Sequence, residues 1–455
     1  MEAGATVAPV LFAQILNDDL GCASYVVGCE EAHEAVVVDP PLEIETVLAQ
    51  ADRLDVRIVR TLETHTHADH VSGHGRLALE HGVPVSIHPA AGAEYPSDAL
   101  ADGDEVSVGT VTLRCIHTPG HRPEHCCFAV IDTTRAEEPW LVLTGDSLFV
   151  GDAARPDLAV GAVEGAEGLF HSLRRLLELP DGVEVFPGHV AGSLCGRAMS
   201  SRGSTTIGFE RRFNPMASIQ ELDAFVAESA DVGAPKPPNL ARIVELNRGP
   251  FRPAPPAPQE LPLPAPGSQL LDVRPLEEHL SGHLPGAVSV PVSGTSFSTK
   301  AGFVLDADAP VTVLAATAAE AARAVAGLRS VAFADIPGYV LGGGPETTES
   351  VAMDELEALI EAGATVIDVR EHDERDEGYI PGSRSVPYRL MRSCCPDLPD
   401  GRPIVTICNS GPRAAVAASI LRAKGLDARP VLDGGMNDWL ARGATAVTFR
   451  RCGSG

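Results

Sequence analysis

The chain has 455 residues, too many for one ordinary hydrophobic core, which favours two to four domains. Acidic residues outnumber basic ones by 62 to 35, and the net charge of −27 argues against nucleic acid or an anionic membrane surface as the main partner. No apolar run is long enough to span a membrane, the N-terminus lacks the basic start of a secretory signal, and the ten cysteines form no CxxC pair, so we expect a cytoplasmic protein.

Short apolar segments recur through the N-terminal part, and several of them end in His, Asp or Gly. Examples are "AVVVD", "VRIVRTL", "WLVLTGD" and "VEVFPGH", with helix-like segments such as "LFHSLRRLLEL" between them. Polar residues at strand ends are typical of layered α/β folds whose site lies along one edge. The pattern therefore predicts an α/β sandwich with a functional site at a sheet edge.

The segment "ETHTHADH" places three histidines and an aspartate within six residues, directly after an apolar segment. The motifs "HTPGH", "LTGD" and "VFPGH" follow in order, and each ends in His or Asp. Imidazole and carboxylate groups that converge from several strand ends are suitable metal ligands. The candidate ligands are His65, His67, Asp69, His70, His121, Asp146 and His189.

These motifs resemble the metallo-β-lactamase superfamily over about residues 10 to 215, which implies an αββα sandwich. The pattern of its dinuclear hydrolases, such as glyoxalase II, implies two ions with a nucleophilic hydroxide between them. The ligands implied are His65, His67 and His121 for one ion and Asp69, His70 and His189 for the other, with Asp146 as the bridge.

The persulfide dioxygenases, another branch of this superfamily, share the same motifs. For them the resemblance implies a single Fe(II) held by His65, His121 and Asp146. Two imidazoles and one carboxylate leave three coordination positions open, so oxygen and a persulfide sulfur can bind side by side. The residues that would then orient ligands or substrate are His67, Asp69, His70 and His189. These motifs leave the hydrolase and the dioxygenase both open, because both branches carry all seven residues.

Local features favour the dioxygenase branch. The segments "GDSLFVGDAARPDL" and "TPGHRPEHCCF" resemble that branch, and the first of them places Arg155 near the site. In "PGHVAGSLCG", Cys195 closely follows the last histidine, as in bacterial dioxygenases fused to sulfurtransferase domains. Cys195 either holds a sulfane sulfur near the iron or is a small buried side chain.

A proline-rich segment separates the two halves of the chain, with eight prolines between Pro250 and Pro266. Beyond it, "LLDVRPLEEHLSGHLPGAVSVPV" and "VIDVREHDERDEGYIPGSRSVPY" repeat at a spacing of 96 residues. Each copy alternates short strands with helices, which predicts two α/β domains with parallel sheets. We expect domains at residues 1–248, 267–344 and 345–455, with a linker at 249–266.

The second copy continues into "TICNSGPRAA", which places Cys408 between an apolar strand and a helix. A short polar loop at a helix N-terminus directs backbone N–H groups inward, and this field activates a thiol as a nucleophile. Arg413 adds a fixed positive charge to the loop. The residues between these two are Asn409, Ser410, Gly411 and Pro412.

Together with "DVR", "IPG", "VP" and "LDGGMNDW", this loop resembles the rhodanese family over about residues 350 to 445. A Cdc25-like phosphatase or arsenate reductase is the alternative within the fold. Those enzymes have five residues between Cys and Arg, whereas four intervene here, and the tighter ring suits a persulfide. In the first copy Ala315 aligns with Cys408 and Glu320 with Arg413, so we expect that copy to be an inactive rhodanese-like domain.

The whole arrangement resembles bacterial fusions of a persulfide dioxygenase with an inactive and an active rhodanese domain. The resemblance implies oxidation of a low-molecular-weight thiol persulfide by O2 to sulfite, coupled to sulfur transfer by Cys408 that forms or uses thiosulfate. A dinuclear zinc thioester hydrolase carrying rhodanese modules is the alternative function, and a non-enzymatic sulfur carrier is a third.

The expected cofactor is one Fe(II) per chain, with zinc as the alternative. The expected partners are a small thiol persulfide, O2, and sulfite or thiosulfate, with no nucleic acid and no membrane. Glutathione, coenzyme A, mycothiol and bacillithiol all stay open as the thiol carrier. A homo-oligomer would be ordinary for such a chain.

Overall fold

The computed structural model describes residues 10–190, 194–196, 199–230, 233, 235–393, 402–443 and 446–447. The chain divides into two compact units, one of Met1–Pro255 with Arg329–Ala332 and one of Pro256–Leu328 with Phe333–Gly455. Among the described residues, no helix has both the length and the apolar character needed to cross a membrane.

The first unit contains two six-stranded sheets. The strands of its first sheet, which are neighbours in sequence order, are β1 (Val10–Asn17), β2 (Cys22–Cys29), β3 (Glu34–Val38), β4 (Arg57–Leu62), β5 (Val85–Ile87) and β6 (Asp98–Ala99). Strands β1 to β3 pair antiparallel, and β3 to β6 pair in parallel. The helices of this half are α1 (Glu45–Arg53) and α2 (His74–His81), and a 3₁₀ turn spans Pro89–Ala91.

The next eight strands are β7 (Glu105–Val108), β8 (Val111–His117), β9 (Cys126–Asp132), β10 (Leu141–Gly145), β11 (Leu148–Phe149), β12 (Asp152–Ala153), β13 (Glu184–Pro187) and β14 (Thr205–Thr206). The second sheet has the order β14-β13-β10-β9-β8-β7, and β11 and β12 form a separate hairpin. The helices that follow are α3 (Ala162–Leu176), α4 (Ile207–Phe213), α5 (Pro215–Ser218), α6 (Leu222–Ala230) and α7 (Leu240–Arg248).

The two sheets of the first unit face each other across an apolar core. Val36 of β3 and Phe128 of β9 belong to this core, whereas their neighbours Val37 and Ala129 pack against helices on the two outer faces. The alternation follows from the period of two residues in a strand. This order of helix, sheet, sheet and helix confirms the predicted αββα sandwich.

The second unit contains two parallel sheets. The strands of the first are β15 (Gln269–Asp272), β16 (Ala287–Ser289), β17 (Val311–Ala315) and β18 (Gly338–Leu341). Those of the second are β19 (Val351–Ala352), β20 (Thr365–Asp368), β21 (Arg384–Ser385), β22 (Ile404–Ile407) and β23 (Ala428–Asp433). The helices are α8 (Leu276–Ser281), α9 (Phe297–Val304), α10 (Ala318–Ser330), α11 (Leu356–Glu361), α12 (His372–Asp376), α13 (Pro412–Ala423) and α14 (Met436–Ala441), with a 3₁₀ turn at Tyr388–Leu390.

The repeat found in the sequence reappears in the strand order. The first sheet is ordered β16-β15-β17-β18, and the second contains the matching series β21-β20-β22-β23 with β19 added at its edge. The predicted parallel sheets are therefore confirmed. Part of the predicted linker is also structured, because the backbone of Gln259 and Leu261 hydrogen-bonds to Tyr339 of β18. The proposed limits of the domains stay predictions.

We predict that Leu143→Ala destabilises the first unit by about 2–5 kcal/mol, because Leu143 is fully buried between the sheets and its removal leaves a cavity. Urea unfolding in a Trp439→Phe background measures this, since Trp140 then reports on the first unit alone. The matched control Leu79→Ala should change the free energy of unfolding by less than about 0.5 kcal/mol, because Leu79 is exposed. Equal effects of the two substitutions would contradict this assignment of the core.

Candidate metal centre and thiol loop

The seven predicted metal ligands are all buried and lie at strand ends of the first unit. His65 to His70 follow β4, Asp146 follows β10, His189 follows β13, and His121 lies between β8 and β9. Gly120 has a φ of 150°, and a Cβ there would lie 2.5 Å from the backbone of Leu169 in α3. The glycine in "TPGH" therefore lets the His121 loop turn tightly against a helix.

His65, His121 and Asp146 come together as the sequence predicts, with donor atoms within 4.8 Å of one another. His121 Nε2 lies 3.5 Å from Asp146 Oδ2. The Nδ1 atoms of the two histidines are engaged elsewhere, that of His121 with the carbonyl oxygen of Arg155 at 3.0 Å and that of His65 with the Thr64 hydroxyl at 2.9 Å. These contacts turn both Nε2 atoms toward a common point.

Two of these buried donor atoms, His65 Nε2 and Asp146 Oδ2, have no hydrogen-bond partner in the described part of the chain. Buried polar atoms are nearly always satisfied, so such a pair is unusual. A metal ion requires buried donor atoms that lie close together and have no other partner. The residues present therefore fit a metal ion.

Electrostatics place the three ligands in the protonation states that a divalent ion needs. Burial lowers the pKa of His65, and the nearby imidazoles of His67 and His121 lower it further. Burial also lowers the pKa of His121. Burial alone would raise the pKa of Asp146, but His189 and His121 hold it below its usual range. The set thus offers two neutral imidazoles and one carboxylate.

His67 packs beside His65, but its Nε2 faces two buried carboxylates that the sequence analysis did not single out. Its Nε2 lies 3.2 Å from Asp39 Oδ1 and 3.2 Å from Glu63 Oε2. Asp39 is held by the backbone N–H and the hydroxyl of Thr64, and Glu63 lies 2.9 Å from His74 Nδ1. Burial opposes protonation of His67, but Asp39 and Glu63 outweigh it and raise its pKa.

His189 bridges two carboxylates. Its Nδ1 lies 2.7 Å from Asp146 Oδ1 and its Nε2 lies 2.8 Å from Asp69 Oδ2, while Asp69 Oδ1 lies 3.1 Å from His70 Nδ1. Burial would lower the pKa of His189, but Asp146 and other nearby groups raise it well above its usual range. A doubly protonated His189 donates to Oδ1 of Asp146 and leaves Oδ2 for the triad.

Cys22 is a neighbour that the sequence analysis missed. Its Sγ lies 3.3 Å from His189 Nε2, 3.4 Å from Asp69 Oδ2 and 3.5 Å from His70 Nδ1. Cys22, Asp69 and His189 thus form a second group of possible metal ligands, with donor atoms within 4.8 Å of one another. No sequence signal marks Cys22, because its partners lie 47 to 167 residues away.

His125 is a second missed residue, although it stands inside the quoted segment "TPGHRPEHCCF". Its Nε2 accepts the backbone N–H of Asp146 at 2.9 Å, and its Nδ1 lies 2.8 Å from the Thr118 hydroxyl. Burial, helped by the nearby His121, lowers the pKa of His125 to about 3, so it is neutral and able to accept. His125 thereby fixes the backbone of a triad residue.

The two residues predicted to bind substrate are both near the triad but differ in orientation. Arg155 reaches it through its carbonyl oxygen, while its guanidinium meets Asp157 at 2.7 and 3.0 Å and the carbonyl oxygen of Pro235 at 2.8 Å. Cys195 is buried, and its Sγ lies within 4.8 Å of donor atoms of Asp146 and His189. Of the two, Cys195 has its side chain placed toward the site.

The predicted thiol loop lies in the second unit between β22 and α13. Cys408 is buried, and its Sγ accepts the backbone N–H of Gly411 at 3.1 Å. Gly411 has a φ of 102°, which the loop needs in order to fold back on the thiol, and Pro412 begins α13. Arg413 pairs with Glu374, a partner that the sequence analysis did not identify.

In the first copy the corresponding loop carries neither a thiol nor a cation. Ala315 ends β17 in the position of Cys408. Glu320 takes the position of Arg413, and its Oε2 accepts the backbone N–H of Ala316 at 3.0 Å. The first copy therefore keeps the strand order of the second without its nucleophile.

Comparison with known proteins identifies the two parts of the chain. Residues 17–189 match the metallo-beta-lactamase superfamily. The mitochondrial persulfide dioxygenase ETHE1 of Bos taurus is 30% identical over 243 residues, which cover 88% of that protein and 53% of this chain. The chain belongs to the metallo-beta-lactamase superfamily. The human persulfide dioxygenase ETHE1 is also 30% identical, over 249 residues and 91% of its length.

The second unit carries a match of its own, since residues 352–442 match the rhodanese-like domain. A crystal structure of a metallo-beta-lactamase from Staphylococcus aureus is 27% identical with a TM-score of 0.67, and the alignment covers 73% of this chain and 99% of that one. The shared architecture thus extends beyond the metallo-beta-lactamase domain. The predicted superfamily and the predicted rhodanese-like domain are both confirmed.

We predict that His125→Phe weakens metal binding by about 10–100-fold, because it removes the acceptor that fixes the backbone of Asp146. Anaerobic competition with a chromophoric Fe(II) chelator measures the affinity directly, without an activity assay. His171→Phe is the matched control, since His171 is exposed on α3 and should leave the affinity unchanged. Unchanged affinity in His125→Phe would show that this contact does not support the site.

Proposed function

We propose that the chain is a bifunctional sulfur enzyme. Its first unit would oxidise a low-molecular-weight thiol persulfide with O2 to sulfite, using one Fe(II), and Cys408 would carry sulfane sulfur in a reaction that forms or uses thiosulfate. One observation carries the dioxygenase half: donor atoms of His65, His121 and Asp146 lie within 4.8 Å of one another, and His65 Nε2 and Asp146 Oδ2 have no hydrogen-bond partner among the described residues. His189 instead hydrogen-bonds to Asp146 and Asp69, and His67 Nε2 lies 3.2 Å from both Asp39 and Glu63. That arrangement favours one three-ligand site over two complete ones.

The residues of this chain would hold and orient the metal. His65 and His121 offer Nε2 because Thr64 and the Arg155 carbonyl oxygen engage their Nδ1 atoms. Asp146 offers Oδ2 because His189 engages Oδ1. Ferrous iron bound there would supply open coordination positions and the electrons for oxygen chemistry. The surrounding burial excludes bulk water, which strengthens every electrostatic contact at the site.

The overall reaction balances without a further reductant. A persulfide RSSH, O2 and water give RSH and sulfurous acid, which ionises to sulfite and bisulfite. The outer sulfur loses four electrons and O2 gains them. At Cys408, RSS⁻ and the thiol give RSH and a Cys408 persulfide, and sulfite attack on its outer sulfur would release thiosulfate and regenerate the thiol. The two steps share persulfide and sulfite, which supports their presence in one chain.

The relatives support a persulfide dioxygenase activity for the first unit, but they do not specify the metal, the products or the thiol carrier. The two persulfide dioxygenases match 53% and 54% of this chain, so their likeness concerns the N-terminal part, and the rhodanese-like match concerns residues 352–442. The choice of iron, the products and the thiol carrier are part of this proposal. The partners we expect are small molecules: a thiol persulfide, O2, and sulfite or thiosulfate.

A dinuclear zinc hydrolase of thioesters is the second candidate. The observation that favours it is a second collection of buried donors: those of Cys22, Asp69 and His189 lie within 4.8 Å of one another, as do those of His67, Asp69 and His70. A thiolate in that set would prefer zinc over Fe(II). Metal content and oxygen uptake distinguish the two candidates.

We predict that protein loaded anaerobically with Fe(II) binds one iron per chain and consumes O2 when given a persulfide. An oxygen electrode and elemental analysis measure both, across persulfides of glutathione, coenzyme A, mycothiol and bacillithiol. His65→Ala should lose both the iron and the uptake, whereas the control His171→Ala should keep both. Two zinc ions per chain with thioester hydrolysis and no O2 uptake would overturn the proposal in favour of the hydrolase.

We predict that Cys408→Ser abolishes sulfur transfer and leaves O2 uptake with persulfide intact, because it removes the thiol without touching the first unit. Sulfite and thiosulfate are quantified after a fixed amount of O2 has been consumed, and sulfite should accumulate in the variant. The control Glu320→Gln alters the aligned position in the first copy and should leave both products unchanged. Unaltered thiosulfate turnover in Cys408→Ser would rule out a sulfurtransferase role for this loop.

A further inference from the structure

The guanidinium of Arg413, which is the cation of the thiol loop, forms an ion pair with the carboxylate of Glu374. Arg413 meets Glu374 through two contacts of 2.6 and 2.7 Å, and Asn409 Nδ2 donates to the same carboxylate at 2.8 Å. The pair is only partly shielded, with side-chain exposures of 24% for Arg413 and 28% for Glu374. An anion that approaches Cys408 therefore meets a neutralised ion pair and not a free guanidinium.

Other arginines of this domain are matched in the same way. Arg370 donates to both oxygens of Asp368 at 3.0 and 2.8 Å, and Arg389 meets Glu371 at 2.9 and 3.0 Å. A bidentate pair of this kind holds its guanidinium in one geometry. Arg370 also donates to the carbonyl oxygen of Glu374 at 3.0 Å and to Asn409 Oδ1 at 3.3 Å, but Arg413 is the guanidinium that pairs directly with the Glu374 carboxylate.

The loop backbone also has fewer free donors than its length implies. Pro412 has no N–H, and the N–H of Gly411 is donated to the Cys408 sulfur at 3.1 Å. The sulfonate group of thiosulfate presents three oxygens and, with the outer sulfur, two negative charges. A loop with two of its N–H groups absent or engaged suits a single negative charge better.

Glu374 stays ionised near neutral pH. Burial would raise its pKa, but Arg413 lowers it below the usual range of a glutamate. Its charge repels a dianion about twice as strongly as a monoanion at the same position. One extra unit of charge a few ångströms away, at a partly exposed site, changes an affinity or a rate by about tenfold.

We infer that Glu374 makes the Cys408 loop select monoanionic thiol persulfides over dianionic thiosulfate as sulfur donors. In the favoured half-reaction RSS⁻ and the Cys408 thiol give RSH and the Cys408 persulfide anion. The S–S bond of the donor breaks, its outer sulfur joins Cys408, and the thiol proton moves to the departing RS sulfur, with no net oxidation. This inference rests on the proposed sulfurtransferase function and specifies its donor class.

Glu374→Gln tests this directly, because glutamine keeps a hydrogen-bond acceptor for Arg413 and Asn409 while removing the charge. Single-turnover loading of Cys408 in the full-length protein is followed by intact mass, with thiosulfate or 2-hydroxyethyl persulfide, whose single charge is on the persulfide, as the donor. The ratio of thiosulfate loading rate to persulfide loading rate should rise about tenfold in the variant. The thiosulfate concentration that gives half-maximal loading should be lower in the variant. In the unsubstituted protein, the preference for the persulfide donor should weaken at high salt.

Asp373→Asn is the matched control, since it removes the same charge from an exposed position of the same helix, and its ratio should stay unchanged. A parallel loss of loading by both donors in Glu374→Gln, with an unchanged ratio, would mean that Glu374 only positions the loop, and would overturn the inference. Absence of loading by either donor in the unsubstituted protein would instead refute the sulfurtransferase proposal itself. The reverse reaction, sulfite attack on the persulfide, should accelerate by the same factor as thiosulfate loading.

Discussion

The carboxylate of Asp146 is fully buried, and the groups around it serve to keep it ionised. His189 faces one of its oxygens, His121 faces the other, and His125 accepts its backbone N–H. A buried carboxylate is tolerated only when it is paired, since its desolvation costs several kcal/mol. His189 also pairs with Asp69, so acidic and basic groups alternate with increasing distance from the triad.

A second alternation of imidazole and carboxylate runs from Asp39 through His67 and Glu63 to His74. The two series meet each other as well as the triad, since His67 packs beside both His65 and His70, and His189 lies beside Asp146. Both nitrogens of His189 face a carboxylate and His67 Nε2 lies 3.2 Å from two, whereas His67 Nδ1 has no hydrogen-bond partner among the described residues. The geometry of the triad therefore depends on residues around it as well as on its own three side chains.

The thiol loop uses the same principle at a more exposed position. Asp368 and Arg370 form a buried pair in the second copy, and Asp272 and Arg274 form the same pair in the first, which has no nucleophile. The pair is thus common to both copies, and in the second copy Arg370 also donates to Asn409 of the thiol loop at 3.3 Å. The pair of Glu374 with Arg413 differs because it is partly exposed beside the loop that holds the thiol, so its charge acts on an anion that approaches.

The sequence by itself determined the layered α/β character, the repeat, the seven candidate ligands and the Cys408 loop, because each depends on local periodicity or on a short motif with fixed spacing, and the αββα order followed from the family resemblance of those motifs. The metal motifs alone left the triad undistinguished from its neighbours, and the resemblance to dioxygenase–rhodanese fusions favoured His65, His121 and Asp146 as the ligands. Only the tertiary structure decided that His67 turns to Asp39 and Glu63, and that Cys22, His125 and Glu374 belong to the two sites. Such contacts join residues far apart in the chain, and which nitrogen or oxygen faces which partner is set by packing, which leaves no mark on sequence spacing.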